Sequence, residues 1–284
     1  MTRYLIAGAY GMLGRDLQTA LLGRDVTALG RNSLDITDLV AVLTAADGCD
    51  VIVNAAAYTR VDDAETQEDA AYAVNAVGAR NLATAAARNS ARLVQISTDY
   101  VFNGTATEPY PEDAPLDPIS AYGRSKAAGE RFVLAENPGA SFIVRTAWLY
   151  GEHGPNFAKT MLRLAGSQPT VGVVNDQFGQ PTWTTDLARQ IVTLLDSDAP
   201  AGIYHGTSSG DTSWFEFARA VFDDAGLDSA RVTPTDSSQF IRPAPRPTYS
   251  VLGHDAWRAA GLSPIRDWRD ALAEASSQGV FDLA

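Results

Sequence analysis

The sequence predicts an α/β fold built on a parallel sheet. Three observations predict it. Leu5-Ile6-Ala7 is a short apolar run leading directly into Gly8-Ala9-Tyr10-Gly11-Met12-Leu13-Gly14, and Leu17, Ala20 and Leu21 then follow at helical spacing. Further apolar runs alternate with helical patterns to about residue 150. After Pro155 that alternation breaks. The expected fold class is a Rossmann-type doubly wound sheet with a smaller C-terminal α/β substrate lobe. The expected division is 1–150 as an NAD(P)-binding domain and 151–284 as a substrate-binding lobe, interleaved with the first.

Strand, glycine turn and helix make the setting of a dinucleotide fingerprint. Glycines such as Gly8 and Gly11 allow a tight turn and let the backbone approach a pyrophosphate, which the first N–H groups of the helix then face. The spacing is G-x-x-G-x-x-G, read as a variant of that device; the alternative is an ordinary tight turn. The second strand is Val26-Thr27-Ala28-Leu29, followed by Gly30-Arg31-Asn32. An arginine there suits the 2′-phosphate of NADP, whereas an acidic residue would suit the ribose hydroxyl of NAD. NADPH is therefore favoured, with NADH possible. Arg31 reads equally well as a solvated charge.

Asp50-Val51-Ile52-Val53-Asn54 is the third strand, and Ala55-Ala56-Ala57-Tyr58-Thr59 lies at its carboxyl end, where ligands of open parallel sheets sit. The alanine-rich stretch 62–89 reads as one or two helices. Asp62, Asp63, Glu65, Glu68 and Asp69 read as a solvated helix start. Arg92-Leu93-Val94-Gln95-Ile96 is the fourth strand, with Thr98 just past its end. A long proline-rich loop then separates Thr98 from a helix starting at Tyr122. Ser141 to Thr146 is another strand, and Trp148 at its end either stacks on a bound ring or caps the core. Beyond it the sequence predicts helices from Phe157, Trp183 and Trp214, strands at 171–174 and 203–205, a loop from Pro234 to Pro247, and a broken terminal helix over 257–275.

Tyr122 and Lys126 lie four apart, on one helical face. An ammonium beside a phenol favours the phenolate and lowers its pKa from about 10. Such a tyrosine can give a proton to a carbonyl while a cofactor gives a hydride.

Composition excludes several classes. The net charge of −12 argues against a nucleic-acid binder. No apolar stretch is long enough to span a bilayer, so no membrane partner is expected. Cys49 is the only cysteine, and a cytoplasmic enzyme is the simple reading. His153, His205 and His254 are scattered, without metal-ligand spacing, so no metal site is expected.

Gly8-x-x-Gly11-x-x-Gly14, Asn54-Ala55-Ala56-Ala57, Ser97-Thr98-Asp99-Tyr100-Val101-Phe102 and Tyr122-x-x-x-Lys126 together resemble the extended short-chain dehydrogenase/reductase family. More narrowly, Tyr58-Thr59-Arg60-Val61-Asp62-Asp63-Ala64-Glu65, Asp176-Gln177-x-Gly179-x-Pro181-Thr182 and Arg246-Pro247-x-x-Ser250-x-Leu252 are similar to the dTDP-4-dehydrorhamnose reductases. The resemblance implies NAD(P)H-dependent reduction of the C4 keto group of a dTDP-linked keto sugar. It implies Tyr122 as proton donor, Lys126 on the nicotinamide ribose and Thr98 on the same carbonyl oxygen or the sugar. It implies Gly8, Tyr10, Gly11, Met12, Leu13, Asp35, Ile36, Ala56, Ala57 and Tyr58 along the cofactor. It implies Val61, Asp99, Tyr100 and Trp148 along the sugar nucleotide.

In that family an acidic residue near the glycine segment can join a Mg²⁺-linked dimer. Here only Asp16, beside Arg15, stands there, so Mg²⁺ and the choice between monomer and homodimer stay open. Arg246 either clamps a diphosphate or ties the C-terminal loop to the core. Two alternatives remain: a reductase of another dTDP-4-keto-deoxysugar, and a regulatory subunit of the methionine adenosyltransferase type.

Overall fold

The computed structural model describes residues 1–282. The early apolar runs form strands β1 (Arg3–Ala7), β2 (Asp25–Leu29), β3 (Val51–Asn54), β4 (Arg92–Thr98) and β5 (Ser141–Thr146). A sixth strand, Gly202–His205, returns from the C-terminal half to pair with β5. The order is Gly202–His205, β5, β4, β3, β1, β2, parallel throughout. The chain leaves β1 for β2 on one side and resumes with β3 on the other. The crevice between the ends of β1 and β3 is therefore the topological switch point, where such sheets bind ligands.

Both faces of the sheet are covered, which is why its strands read as continuous apolar runs. Tyr4 and Ile6 point to one face, where Leu13 and Leu17 of helix α1 (Met12–Ala20) and Leu187, Ile191 and Leu194 of the helix Thr184–Asp196 pack. Leu5 and Ala7 point to the other, under Val42, Leu82, Ala83, Ala86 and Val133. This is the period of two expected of a strand. Each fully buried leucine contributes about 1.5–3 kcal/mol. Cys49 is buried in the second cluster.

The second lobe packs helices Phe157–Ala165, Trp214–Asp224 and Trp268–Ser277 around the parallel pair Val171–Val174 and Val232–Thr235. Two short pairings lie beside it: Leu149–Tyr150, just after β5, with Thr182–Trp183, and Phe178–Gly179 with Thr212–Ser213. No described helix is long and apolar enough to cross a membrane.

The stretch 62–89 departs from expectation. It forms two short helices, Val61–Ala64 and Glu68–Tyr72, then a π-helical turn, Ala73–Gly78, running into the helix Ala79–Arg88. Asp63 and Asp69 stand exposed in the first turns of the two short helices, as expected, but the other three acidic residues reach other elements. Asp62 accepts from Arg246 at 2.9 Å, Glu65 accepts the Ala121 N–H at 2.8 Å, and Glu68 pairs with Arg124 at 2.8 and 3.0 Å. Breaking the stretch into short turns aims these carboxylates at neighbouring elements.

Two histidines are buried. His205 Nδ1 lies 2.9 Å from the Gly253 carbonyl, and its Nε2 lies 3.3 Å from Arg145 Nη1. Because a guanidinium only donates, Nε2 must accept and Nδ1 must carry the proton. Burial, then the Arg145 charge, pushes His205 down to about 3. Burial and Arg258 push His254 down to about 4.

Both folded values lie below the ordinary 6.5, so the unfolded chain takes up these protons first. Their contribution to stability is present above pH 6.5 and is lost as pH falls toward 4. Asp99, raised by burial from 3.8 to about 6, works in the opposite sense between those values. Asp16 and Glu112, also raised by burial, act with Asp99, whereas Asp35, Glu68, Asp196 and Glu274, lowered by hydrogen bonds, act with the two histidines. The thermal midpoint is therefore expected to drop as pH is lowered from 6.5 toward 4. His205→Asn, which keeps an N–H for Gly253 and cannot take a second proton, should flatten that slope. Melts across the range check this; an unchanged slope excludes His205 as a source.

Candidate active site

The carboxyl ends of the strands open into two joined hollows of about 610 and 990 Å³ that share Tyr10, Gly11 and Ala55 to Ala57. Gly8, Arg31, Asp35, Ile36 and Tyr58 line the first; Met12, Leu13, Val61, Thr98, Asp99, Tyr100, Tyr122, Lys126 and Trp148 line the second. One cleft thus gathers every residue expected of the site except Arg246.

The first hollow fits a dinucleotide. Gly8 has φ +80°, and a Cβ there would come within 2.4 Å of Ala56 N. The space a side chain would fill is the space a close-lying pyrophosphate needs. Gly11 caps α1 with no side chain to accept the first N–H groups, which leaves them for an anion. Asp35 accepts from the Thr37 N–H at 2.9 Å and hydroxyl at 2.7 Å, and these bonds hold it below the usual carboxylate range. Arg31 is exposed at the mouth.

Tyr122 sits in the first turn of the helix Ala121–Glu136. The Ser120 hydroxyl accepts the Gly123 N–H at 3.1 Å, and Glu65 takes the Ala121 N–H. The Tyr122 ring meets Tyr100 edge-on at 5.8 Å. Burial raises its phenol above the ordinary 10; the Asp99 charge adds to this, and the Thr98 hydroxyl opposes it. Lys126 is buried, and burial pulls it down to about 8 against the pull of Glu130.

The expected coupling of ammonium and phenol is corrected here. Lys126 Nζ donates to the Ile96 carbonyl at 2.6 Å, and the phenol is raised, not lowered. A buried ammonium takes a strong backbone acceptor within reach. Of its three donors, two remain for a ligand.

Thr98 donates to Asp99 Oδ1 at 2.8 Å and accepts the Tyr100 N–H at 3.2 Å. Asp99 is buried, and its Oδ2 has no partner. That accounts for a carboxyl pushed up by desolvation.

Arg246 stands behind Tyr100 and outside the cleft wall. Its Nη2 donates to Asp62, its guanidinium lies 5.7 Å from the Tyr100 ring centroid, and Nη1 has no partner. The tie to the core is the geometry observed. Trp148 lines the cleft and also packs on the C-terminal core through Trp214.

Sequence reasoning missed several residues. Asn75, in the π-helical turn, accepts the Tyr58 N–H at 2.8 Å and donates to the Tyr58 carbonyl at 3.1 Å and Ser125 Oγ at 3.0 Å. Ser125 in turn donates to the Tyr122 carbonyl at 2.7 Å. An asparagine and a glycine inside an alanine-rich helical pattern were the available signal. Arg60, Gln67, Glu152 and His153 also border the cleft. Among the described residues, no three His, Cys, Asp or Glu side chains gather to hold a metal ion. Burial raises Asp16, beside the hydroxyls of Thr184 and Thr185.

Comparison with known proteins agrees with this geometry. Residues 2–280 match the family described as RmlD substrate binding domain, and the chain belongs to that family. It is 53% identical to a dTDP-4-dehydrorhamnose reductase of Streptomyces griseus, covering 96% of this chain and 92% of that protein. It is 52% identical to a dTDP-4-keto-6-deoxy-D-glucose reductase of Streptomyces niveus, covering 96% of each. A crystal structure of dTDP-4-dehydrorhamnose reductase from Bacillus anthracis, in complex with NADP, superposes with a TM-score of 0.94 at 40% identity. That match covers 98% of this chain and all of the other.

The cradle at Gly8 makes a direct prediction. Gly8→Ala adds a side chain at a left-handed backbone position, which costs about 1–2 kcal/mol, and drives it into Ala56. The variant should melt lower and bind NADPH at least about tenfold more weakly. Titration of nicotinamide fluorescence checks this; wild-type affinity would remove Gly8 from the cofactor site.

Proposed function

We propose that this member of the family reduces the C4 keto group of dTDP-4-dehydro-L-rhamnose to give dTDP-L-rhamnose, with NADPH preferred over NADH. The observation that carries the reading is the gathering of Thr98, Tyr122 and Lys126 in one hollow continuous with the glycine turn. The names of the two Streptomyces relatives, both for reduction of a dTDP-linked sugar, support it. A buried, reduced Cys49 suits the cytoplasm.

When bound, the nicotinamide supplies a hydride for the carbonyl carbon. The protein handles the proton. Tyr122, kept protonated by burial, holds a proton at Oη for the carbonyl oxygen as negative charge develops there. Lys126 lowers the cost of the phenolate left behind, while its free N–H groups hold the ribose. Thr98 orients the carbonyl oxygen. Val61, Asp99, Tyr100 and Trp148 form the walls around the sugar. Arg246, held by Asp62, backs the Tyr100 wall from behind. Arg31 meets the 2′-phosphate.

A second reading has its own support. The Streptomyces niveus relative is named for a different keto sugar at nearly the same identity, so reduction of another dTDP-4-keto-deoxysugar is the competing substrate assignment. A regulatory subunit would have no use for Thr98, Tyr122 and Lys126 brought together.

Incubation with NADPH and dTDP-4-dehydro-L-rhamnose generated in situ should consume the reduced nicotinamide. Consumption only with another dTDP-keto sugar selects the second reading. No consumption with any of them defeats both. Tyr122→Phe should lower kcat by about 10²- to 10⁴-fold while NADPH affinity stays unchanged; near-normal turnover would remove it as the acid. Arg31→Ala should raise KM for NADPH roughly tenfold and leave that for NADH alone. An equal effect on both cofactors would show that Arg31 does not read the 2′-phosphate.

A further inference from the structure

Trp148 has a backbone that a bulky residue rarely adopts, with φ at +48°. Such an outlier persists only where its surroundings over-determine it, and here they do. Its indole stacks on Trp214 with ring centroids 3.5 Å apart and planes 11° from parallel. Its six-membered ring lies against Gly179, where a Cβ would come within 2.5 Å of Cε2 and 2.7 Å of Cζ2. Its carbonyl accepts the Thr182 N–H at 3.2 Å, and the next two residues pair with Thr182–Trp183.

These contacts share an origin. Gly179 and Thr182 belong to the segment Asp176-Gln177-x-Gly179-x-Pro181-Thr182, which no step of the chemistry employs. The strand Phe178–Gly179 pairs with Thr212–Ser213, and Ser213 caps the helix that begins at Trp214. Trp214 is braced by Phe157, with ring centroids at 4.5 Å. Neither Gly179 nor Trp214 lines the cleft, whereas Trp148 lines it together with Thr98 and Tyr122.

We propose that Trp214 and Gly179 are positioning residues that fix the Trp148 indole as a wall of the keto-sugar pocket. These two residues then set affinity for the sugar through an aromatic stack without lining the cleft themselves. This rests on the reductase reading, in which Trp148 borders the sugar. A side chain at Gly179 displaces the indole directly. Loss of the Trp214 ring removes its stacking partner and leaves the strained backbone without its support.

The test combines spectroscopy with kinetics. Two stacked indoles couple their far-ultraviolet transitions, so wild type should show an exciton couplet in circular dichroism that Trp148→Phe and Trp214→Leu abolish. Trp214→Leu and Gly179→Ala should each raise KM for the keto sugar roughly tenfold and leave KM for NADPH unchanged. Trp214→Phe, which keeps a stacking ring, should recover most of that loss even if the leucine variant folds poorly. The proposal is overturned if the couplet is lost and KM for the keto sugar stays at wild type. It is equally overturned if KM for sugar and cofactor rise together in the phenylalanine and alanine variants, the mark of a merely structural role. A wild type that reduces no keto sugar overturns the reductase reading and this inference with it. A wild type that turns over, beside variants with unaltered sugar KM, overturns this inference alone.

Discussion

The pair on which the site depends is Glu130 with Arg145, each side chain 1% exposed. Arg145 Nε and Nη2 reach Glu130 at 3.0 and 2.8 Å, and Ser97 donates to the same carboxylate. Arg145 Nη1 also donates to the Glu112 carbonyl at 3.0 Å, and the guanidinium lies 5.0 Å from the Phe102 ring centroid. The pair therefore fastens the helix carrying Tyr122 and Lys126 to β4 and β5, and through His205 to the edge strand. A buried ion pair adds little net stability compared with packed apolar side chains, but losing one partner costs about 3–5 kcal/mol. Its value lies in register. Ser97 is fixed one residue before Thr98, and Glu130 stands one helical turn after Lys126.

That placement has an electrostatic consequence. Burial alone drives an ammonium toward neutrality. The Glu130 carboxylate opposes this and holds Lys126 near 8. Tyr122 feels the opposite balance, because burial and the Asp99 charge both keep its proton on. Tyr122 therefore keeps its proton, and Lys126 Nζ donates to the Ile96 carbonyl. The lowering that sequence spacing suggested is not what these surroundings produce.

The legible parts of the structure were those whose signal is local. β1, the glycine turn and α1 follow one another within a short stretch, and the apolar runs of β3, β4 and β5 reflect burial on both faces. Thr98, Tyr122 and the alanines after Asn54 lie at strand ends or in a helix's first turn, where topology alone brings them together. What escaped was long-range. The partners of Asp62, Glu65 and Glu68 lie in other elements, so their acidic run looked like an ordinary helix start. The π-helical turn around Asn75 changes helical phase without leaving a pattern in hydrophobicity. The stack of Trp148 on Trp214 joins residues that no periodicity links.

Chemistry and selectivity come from different layers. The groups proposed to hold and move the proton stand on β4 and the helix Ala121–Glu136, inside the doubly wound layer and fastened by Glu130 and Arg145. The walls around them come from elsewhere. Trp148 sits where β5 hands the chain to the second lobe, and Tyr100 is backed by Arg246 from the C-terminal loop through Asp62. A substitution in the lobe can reshape a wall without reaching Tyr122 or Lys126, since no hydrogen bond to either side chain comes from it. Divergence in the accepted sugar is therefore expected to accumulate around Trp148, Trp214 and the loop bearing Arg246, while the proton-handling residues stay as they are.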